Sequence, residues 1–319
     1  TFKTSVFSNA KFIAINILIK KMQKILLTTD FSDNAWNAIV YALEFFKNEA
    51  CFFYILHTYT PSFYRVDYMM GGPSFSAIPD IGVAIALAGL DKTLANIKKK
   101  HPNKKHQYKT VSAFNILTDE VREMTAKENI DLIVMGTQGA TGAKKIFLGT
   151  DTVHVIRKSK IPVLAIPNSY KFKEIESILF PSDFSIPFQK EELKLLIDIA
   201  ILQKASLKIL NVKDDYQLTD AQKINKKLLA TNFDTIDHSF AQIRGKLMPD
   251  AIHEYTEQHP TTGLLAMMSH KHSFLERLIV KSNIDTIGYH TTIPFLVIPY
   301  TPEEQIKKSK YRYSSNMSF

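Results

Sequence analysis

The sequence is poor in several things that would mark out special classes of protein. It has one cysteine in 319 residues, Cys51, so no disulfide can form within the chain. Disulfide-stapled scaffolds are excluded, and a reducing compartment is the simpler setting. Eleven glycines are too few for a collagen-like repeat. No apolar run approaches the ~18 residues of a membrane span. The longest, Phe12 to Ile19, is short and interrupted by Asn16.

What is present is ordinary for a folded chain: 45% hydrophobic residues, 22% charged residues, 13 Tyr and 21 Phe. At roughly 150 residues per domain, the length suggests two domains with separate cores. The formal net charge is +9. That balance allows a polyanionic partner without requiring one. Lys98, Lys99, Lys100, Lys104 and Lys105 surround a helix end, where the helix dipole and solvent account for them. No aromatic interleaving accompanies them, so no nucleic-acid face is expected.

Two stretches recur in order. Lys24-Ile-Leu-Leu-Thr-Thr-Asp30-Phe31-Ser32 returns as Ser177-Ile-Leu-Phe-Pro-Ser-Asp183-Phe184-Ser185, an offset of 153 residues. Ile161-Pro-Val-Leu-Ala-Ile-Pro167 returns as Ile293-Pro-Phe-Leu-Val-Ile-Pro299, an offset of 132. The first copy is therefore 21 residues longer, and the stretch after its second strand, Tyr59 to Pro79, is the place for the excess. Ten residues, Asn168 to Ser177, join the copies, a linker short enough to make them pack together.

Within the first copy, short apolar runs alternate with helical periodicity. Strands are expected at Lys24–Thr29, Cys51–Thr58, Gln107–Ala113, Ile130–Met135 and Pro162–Ile166. Helices are expected over Asp33 to Lys47, Asp80 to His101, Leu117–Lys127 and Thr150–Lys158. Ala35, Ala38, Ile39, Ala42, Leu43 and Phe46 form the inner face of the first. Continuously apolar strands separated by helices imply a parallel sheet covered on both faces. The expected architecture is α/β: two tandem doubly wound five-stranded parallel-sheet domains of flavodoxin-like or Rossmann-like type. The domains are residues 22–168 and 174–300, followed by a basic, polar tail, 301–319. Residues 1–21 precede the first methionine, Met22, and read as a disordered arm or an extension upstream of the natural start. No small-residue cleavage site closes the apolar stretch there, which argues against a secretory signal.

One loop carries chemistry. After the fourth strand come Gly136, Gly139, Gly149 and Thr150, spaced as Gly, two residues, Gly, nine residues, Gly, Thr. Gly136 and Gly139 are expected to let the backbone turn off the strand end and to let a ligand approach the amides. Gly149 and Thr150 open a helix, whose free N–H groups and dipole favour phosphate. Ligands of open α/β sheets bind at the carboxyl ends of strands, where the strand order reverses. If strands one and four are neighbours, Asp30 faces the glycine loop and can accept hydrogen bonds from ribose hydroxyls or an adenine edge. Lys144 and Lys145, inside the loop, face either phosphate or water.

At these residues the chain, outside its termini, resembles a tandem universal stress protein. The loop matches that family's G-x2-G-x9-G-[S/T] pattern without a gap, and Asp30 matches its Asp at the end of strand one. Thr58 falls where the family's second strand offers backbone groups to adenine, a position where Val is usual. The resemblance implies the superfold shared with adenine-nucleotide alpha hydrolases. It also implies ATP-type binding by Asp30, Thr58, Gly136, Gly139, Gly149 and Thr150. The ligand would be ATP, ADP or AMP, with or without Mg2+. It implies a regulatory role in stress survival, with pairing through the last strand of each copy. A fused chain could make that pairing internally, at Pro162–Ile166 and Pro294–Ile298, with homodimerisation left open.

The second copy departs from the pattern. Met268, Lys271, Lys281 and Ser282 stand where the first has Gly136, Gly139, Gly149 and Thr150. Asp183 and Val212 remain. Side chains in place of three glycines would fill the space phosphates need, so ligand is expected in the first domain only. His270 and His272 lack a third ligand at metal-binding spacing.

The expected function is a cytoplasmic, nucleotide-binding regulatory protein that is not an enzyme, with no membrane partner, and whose protein partner the sequence does not name. A slow ATPase would need a base and a Mg2+ ligand set, and the sequence offers neither. A nucleotide-independent interaction or scaffold protein and such a slow ATPase are the two alternatives.

Overall fold

The computed structural model describes residues 22–59, 81–137, 149–212, 217–269 and 292–300. These carry ten strands and seven helices. In the first half they are β1 (Gln23–Thr28), α1 (Asp33–Phe45), β2 (Cys51–Tyr59), α2 (Ile81–Lys100), β3 (His106–Phe114), α3 (Leu117–Glu128), β4 (Leu132–Gly136), α4 (Thr150–Lys158) and β5 (Val163–Ile166). In the second they are β6 (Ser177–Pro181), α5 (Lys190–Gln203), β7 (Ser206–Val212), α6 (Asp220–Asn232), β8 (His238–Ile243), α7 (Met248–Gln258), β9 (Thr262–Ser269) and β10 (Phe295–Pro299).

The strands form one sheet in the order β3-β2-β1-β4-β5-β10-β9-β6-β7-β8. Each half, read from its outer edge, runs third, second, first, fourth, fifth. Within each half the pairs are parallel. The exception is the seam, where β5 and β10 pair antiparallel, Leu164 opposite Leu296. Each half is thus a doubly wound α/β unit. Strand order reverses between β1 and β4, which are direct neighbours with Leu27 opposite Val134.

Alternation across the pleat sends side chains to two cores. Ile25, Leu27, Phe53, Ile55, Leu132 and Val134 face α1 and α2, in a cluster that continues into the second half through Leu164, Leu296 and Leu193. Leu26, Leu56, Ile133 and Met135 face the other way, with Val121 of α3 and Val155 of α4. Full burial of one such side chain contributes roughly 1.5–3 kcal/mol. α1 starts where Ser32 Oγ accepts the Ala35 N–H at 3.2 Å. It ends at Phe45, two residues before the expected Lys47, in a run of turns. β4 starts at Leu132, later than the expected Ile130; just before it Asp131 is tied to Lys24 twice, its carboxylate accepting the Lys24 N–H at 2.9 Å and its own N–H donating to the Lys24 carbonyl at 2.8 Å.

Candidate functional site

The carboxyl edge of the first half brings most of the expected residues together. Thr28 lies opposite Leu56 on β2 and Leu27 opposite Val134 on β4. Counting outward in that register, Asp30 stands level with Thr58, and Thr29 with Gly136. Three adjacent strand ends therefore present Asp30, Thr58 and Gly136 on one rim, at the reversal of strand order.

Asp30 is exposed and held by a tight turn. Its Oδ1 accepts the Ser32 N–H at 3.0 Å, Thr29 Oγ1 accepts the Phe31 N–H at 3.0 Å, and Phe31 has a positive φ of 65°. A left-handed aromatic residue is strained unless its surroundings hold it. Here they do. The Phe31 ring stacks on His57, with centroids 4.2 Å apart. A Cβ on Gly89 of α2 would come within 2.5 Å of that ring, so Gly89 is what lets α2 lie against it. His57 Nδ1 sits 2.8 Å from the Thr29 carbonyl oxygen, which can only accept, so Nδ1 carries the proton. Phe31, His57 and Gly89 were not singled out from the sequence. The recurrence of Phe after Asp in both copies was their one visible trace.

Gly136 has a packing role beside the expected one. It is an ordinary extended residue at the end of β4, without positive φ. A Cβ there would meet Asn34 Nδ2 at 2.3 Å and the Asn34 carbonyl oxygen at 3.2 Å. Its missing side chain makes room for the first turn of α1, which is how the Asp30 turn comes to lie against β4. Gly149 is likewise not left-handed: φ is −56° and ψ is 151°, at the N-cap of α4. Gly139 lies outside the described residues, as do Lys144 and Lys145.

The neck of the loop is stitched by groups that spacing alone did not reveal. The Gly149 N–H donates to the Thr137 carbonyl, and the Thr137 N–H to Ile166 at 3.0 Å. Thr152 Oγ1 donates to the Gly136 carbonyl at 2.8 Å. The loop between residues 137 and 149 therefore leaves and returns at one point, directly beside Gly136. Thr150, exposed, is the first residue of α4, and intrahelical bonding leaves the amides of that first turn over. No N-cap side chain covers them. Thr137 is 1% exposed, and among the described residues its Oγ1 has no partner. A buried hydroxyl and a set of leftover amides at one rim suit an anionic group. Asp151, in the same turn, opposes it.

The second half repeats the turn but not the opening. Ser182 Oγ accepts the Phe184 N–H at 3.2 Å, Asp183 Oδ1 accepts the Ser185 N–H at 2.9 Å, and Phe184 has φ 57°. Here α6 reaches over the rim. Gln222 Nε2 donates to the Asp183 carbonyl at 2.8 Å, and Asn225 Nδ2 to that of Phe184 at 2.9 Å. Lys226 lies over the rings of Phe184 and Phe240 at 5.8 and 4.7 Å. Met268 pairs with Ile298 as Gly136 pairs with Ile166, and it is buried. Lys271, Lys281, Ser282, His270 and His272 lie outside the described residues. Among the described residues no group of three His, Cys, Asp or Glu side chains could hold a metal ion. None of the described helices is long and apolar enough to cross a membrane.

Comparison with known proteins agrees with this geometry. Residues 21–167 match the universal stress protein family. Universal stress protein MJ0577 of Methanocaldococcus jannaschii is 26% identical over 163 residues, 45% of this chain and 94% of that protein. Universal stress protein YxiE of Bacillus subtilis is 28% identical over 145 residues, 45% of this chain and 97% of that protein. A crystal structure of a universal stress protein from Archaeoglobus fulgidus matches 88% of this chain and 97% of its own, with a TM-score of 0.56 at 19% identity, a likeness of fold across both halves. Residues 21–167 of this chain form a domain of the universal stress protein family.

Proposed function

We propose that this chain is a nucleotide-binding regulatory protein of the stress response, taking ATP, ADP or AMP at the carboxyl edge of its first half. One observation carries the reading: Asp30, Thr58 and Gly136 end three adjacent strands at the reversal of strand order, beside the uncapped start of α4. In this reading Asp30 meets the ribose, the Thr58 backbone meets the adenine edge, and Thr150 with the α4 amides meets phosphate. Gly139 belongs to the same loop by sequence. Thr137 Oγ1 is a fourth polar group at the same place.

The proposal extends to the whole chain as two domains, residues 22–168 and 174–300, held together along the β5–β10 seam and acting in the cytoplasm. The second is a structural partner without nucleotide. The side chains of Gln222, Asn225 and Lys226, laid over its strand ends, support that role. The first domain is a binder rather than a hydrolase in this reading, in which the described rim residues supply acceptors and amides for a ligand.

Calorimetry with ATP and with AMP, with and without Mg2+, tests the reading on the intact chain and on Gly139→Lys and Gly149→Lys. Both substitutions copy the second half's residues into the first. At position 149 the backbone suits any residue, so a folded variant is expected. Saturable binding to the intact protein, weakened in both variants, supports the site. A folded intact protein that takes up neither nucleotide removes the proposal. Phosphate release measured in parallel separates binder from hydrolase.

A further inference from the structure

The linker between the halves covers one face of α1. Beyond Pro167 it turns across the helix, where Asn37 Nδ2 donates to the carbonyl oxygens of Pro167 at 3.4 Å and Tyr170 at 3.1 Å. The rings of Tyr170 and Phe172 lie 6.2 and 5.4 Å from Tyr41, and Phe172 is 6.3 Å from Phe45. Ile175 is then buried against Gly263, just before β6 begins. The space between α1 and the starts of β6 and β9 is thereby filled with chain.

The repeat relates α1 to α5. Ile39, Ala42, Leu43 and Phe46 match Leu193, Leu196, Ile197 and Ala200 in spacing, and all eight are buried. In that register Asn37, Tyr41 and Phe45, the residues the linker covers, answer to Glu191, Leu195 and Ile199. These three do not lie under a linker. They line a cavity of about 980 Å3 between α5 and the first half. Its opposite wall is formed by Gln23, Asp131 and Pro162, at the starts of β1, β4 and β5, and Ile298 and Pro299 close it from β10. It is the counterpart, across the seam, of the space that the linker fills.

The lining is partly apolar and partly acidic. Phe46, Leu195 and Leu202 supply apolar surface. Among the described residues of the lining, five are acidic, Glu49, Asp131, Glu191, Glu192 and Asp198, and two are basic, Lys160 and Lys194, with Lys194 bonded to Asp198.

We propose that residues 301–319, the segment leaving β10, cross α5 in this cavity as the linker leaving β5 crosses α1. The segment follows Pro299, itself part of the lining, after a single residue. It carries Lys307, Lys308, Lys310 and Arg312 against Glu303 and Glu304, so its sign is opposite to that of the wall. Ile306 and Tyr311 supply apolar side chains. Glu191 to Leu202 spans about 17 Å at 1.5 Å per residue, which about six extended residues cover. The basic run then arrives near Asp198 and Glu49, where the end of α5 meets α1 through Gln203 Nε2 and the Phe45 carbonyl at 3.1 Å. The tail so placed touches both halves and fastens the seam a second time. Nothing in this depends on nucleotide.

Amide hydrogen exchange of the full chain, read on peptides covering 190–203, tests the docking. The variants are a deletion of 301–319 and a tail carrying Lys307→Glu, Lys308→Glu, Lys310→Glu and Arg312→Glu. Exchange in the α5 peptides is expected to rise about tenfold in both, with β1 unchanged, as in local opening. Adding Glu191→Lys and Asp198→Lys to the reversed tail is expected to restore protection. Unchanged exchange on deletion of the tail overturns the proposal. So does protection that is lost only when residues 1–21 are removed, which makes that segment the occupant. Protection that fades on dilution of the intact chain assigns the cavity to a second copy and overturns it equally.

Discussion

The imidazole Nδ1 of His57 donates to the carbonyl oxygen of Thr29 at 2.8 Å, and in the second half Asn211 Nδ2 makes the equivalent bond to Ser182 at 2.9 Å. Two chemically different side chains, at the same place on the second strand of each half, satisfy the carbonyl that precedes the strand-end Asp. The shared feature is a donor, which identifies the bond as part of the turn's construction. His57→Asn is therefore expected to keep the turn and fold with a small loss, since it gives up only the stacking on Phe31. His57→Leu leaves the Thr29 carbonyl without its donor and is expected to cost about 1–3 kcal/mol. Urea denaturation of the two variants checks this; equal losses would show that the ring, not the donor, matters.

Gly136 and Asn34 make a second pair. Since a Cβ at 136 would overlap the Asn34 amide at 2.3 Å, Gly136→Ala is expected to destabilise by about 1–3 kcal/mol through overpacking. Asn34→Ala in the same chain opens the space and is expected to recover part of that loss. The shortfall is set by the polar contacts Asn34 gives up and by the Asn34 carbonyl, which remains 3.2 Å from the added methyl. Non-additivity measured in a double-mutant cycle is the readout. Additive losses would mean that Gly136 is needed for something other than the first turn of α1.

Thr152 ties α4 to the end of β4 through its 2.8 Å bond to the Gly136 carbonyl. Thr152→Val keeps the shape and removes the donor. A stability loss of about 1 kcal/mol is expected from the bond itself. If α4 must be held against the rim for its amides to meet phosphate, nucleotide affinity measured by calorimetry falls as well. A stability loss with unchanged affinity would separate the neck of the loop from binding.

Much of this fold could be read from residue order. The repeated Lys-Ile-Leu-Leu and Ile-Pro-Val-Leu runs marked both ends of each unit, and their proline flanks marked the strands that meet at the seam, Leu164 opposite Leu296. The helix over Thr150–Lys158 lies where its opening Gly-Thr put it. The site was legible as far as one-dimensional patterns reach, through Asp30 and the spacing of glycines. What escaped depends on which strands are neighbours and in what register. Asn34 against Gly136, His57 on Thr29 and Thr152 on Gly136 join residues far apart in the chain or on separate elements, and no local pattern announces them. Gly136 has a second use that escaped for the same reason. Its freedom from a side chain serves a neighbouring helix, which cannot be seen from its own flanks.

His106 offers a prediction in pH. It is buried at the start of β3, its Nε2 donates to the Phe46 carbonyl at 3.1 Å, and its ring meets Phe53 edge-on at 4.9 Å. Burial lowers its pKa from the usual 6.5. The Phe46 bond and Glu44 act in the opposite sense, and Lys105 lowers it further. The neutral ring is therefore the native form, and above pH 6.5 folded and unfolded chains are alike at this position. As the pH falls below 6.5 the unfolded chain takes up a proton that the folded chain resists, so stability is lost toward the lower, folded pKa. His106→Gln keeps an N–H for the Phe46 carbonyl and removes the titration. Between pH 7 and pH 5 its unfolding free energy should fall less steeply than that of the unsubstituted chain, by at most about 1.4 kcal/mol per pH unit. Denaturation midpoints across that range decide the matter. Parallel curves for the two proteins would mean that His106 takes its proton as readily in the folded chain as in the unfolded one.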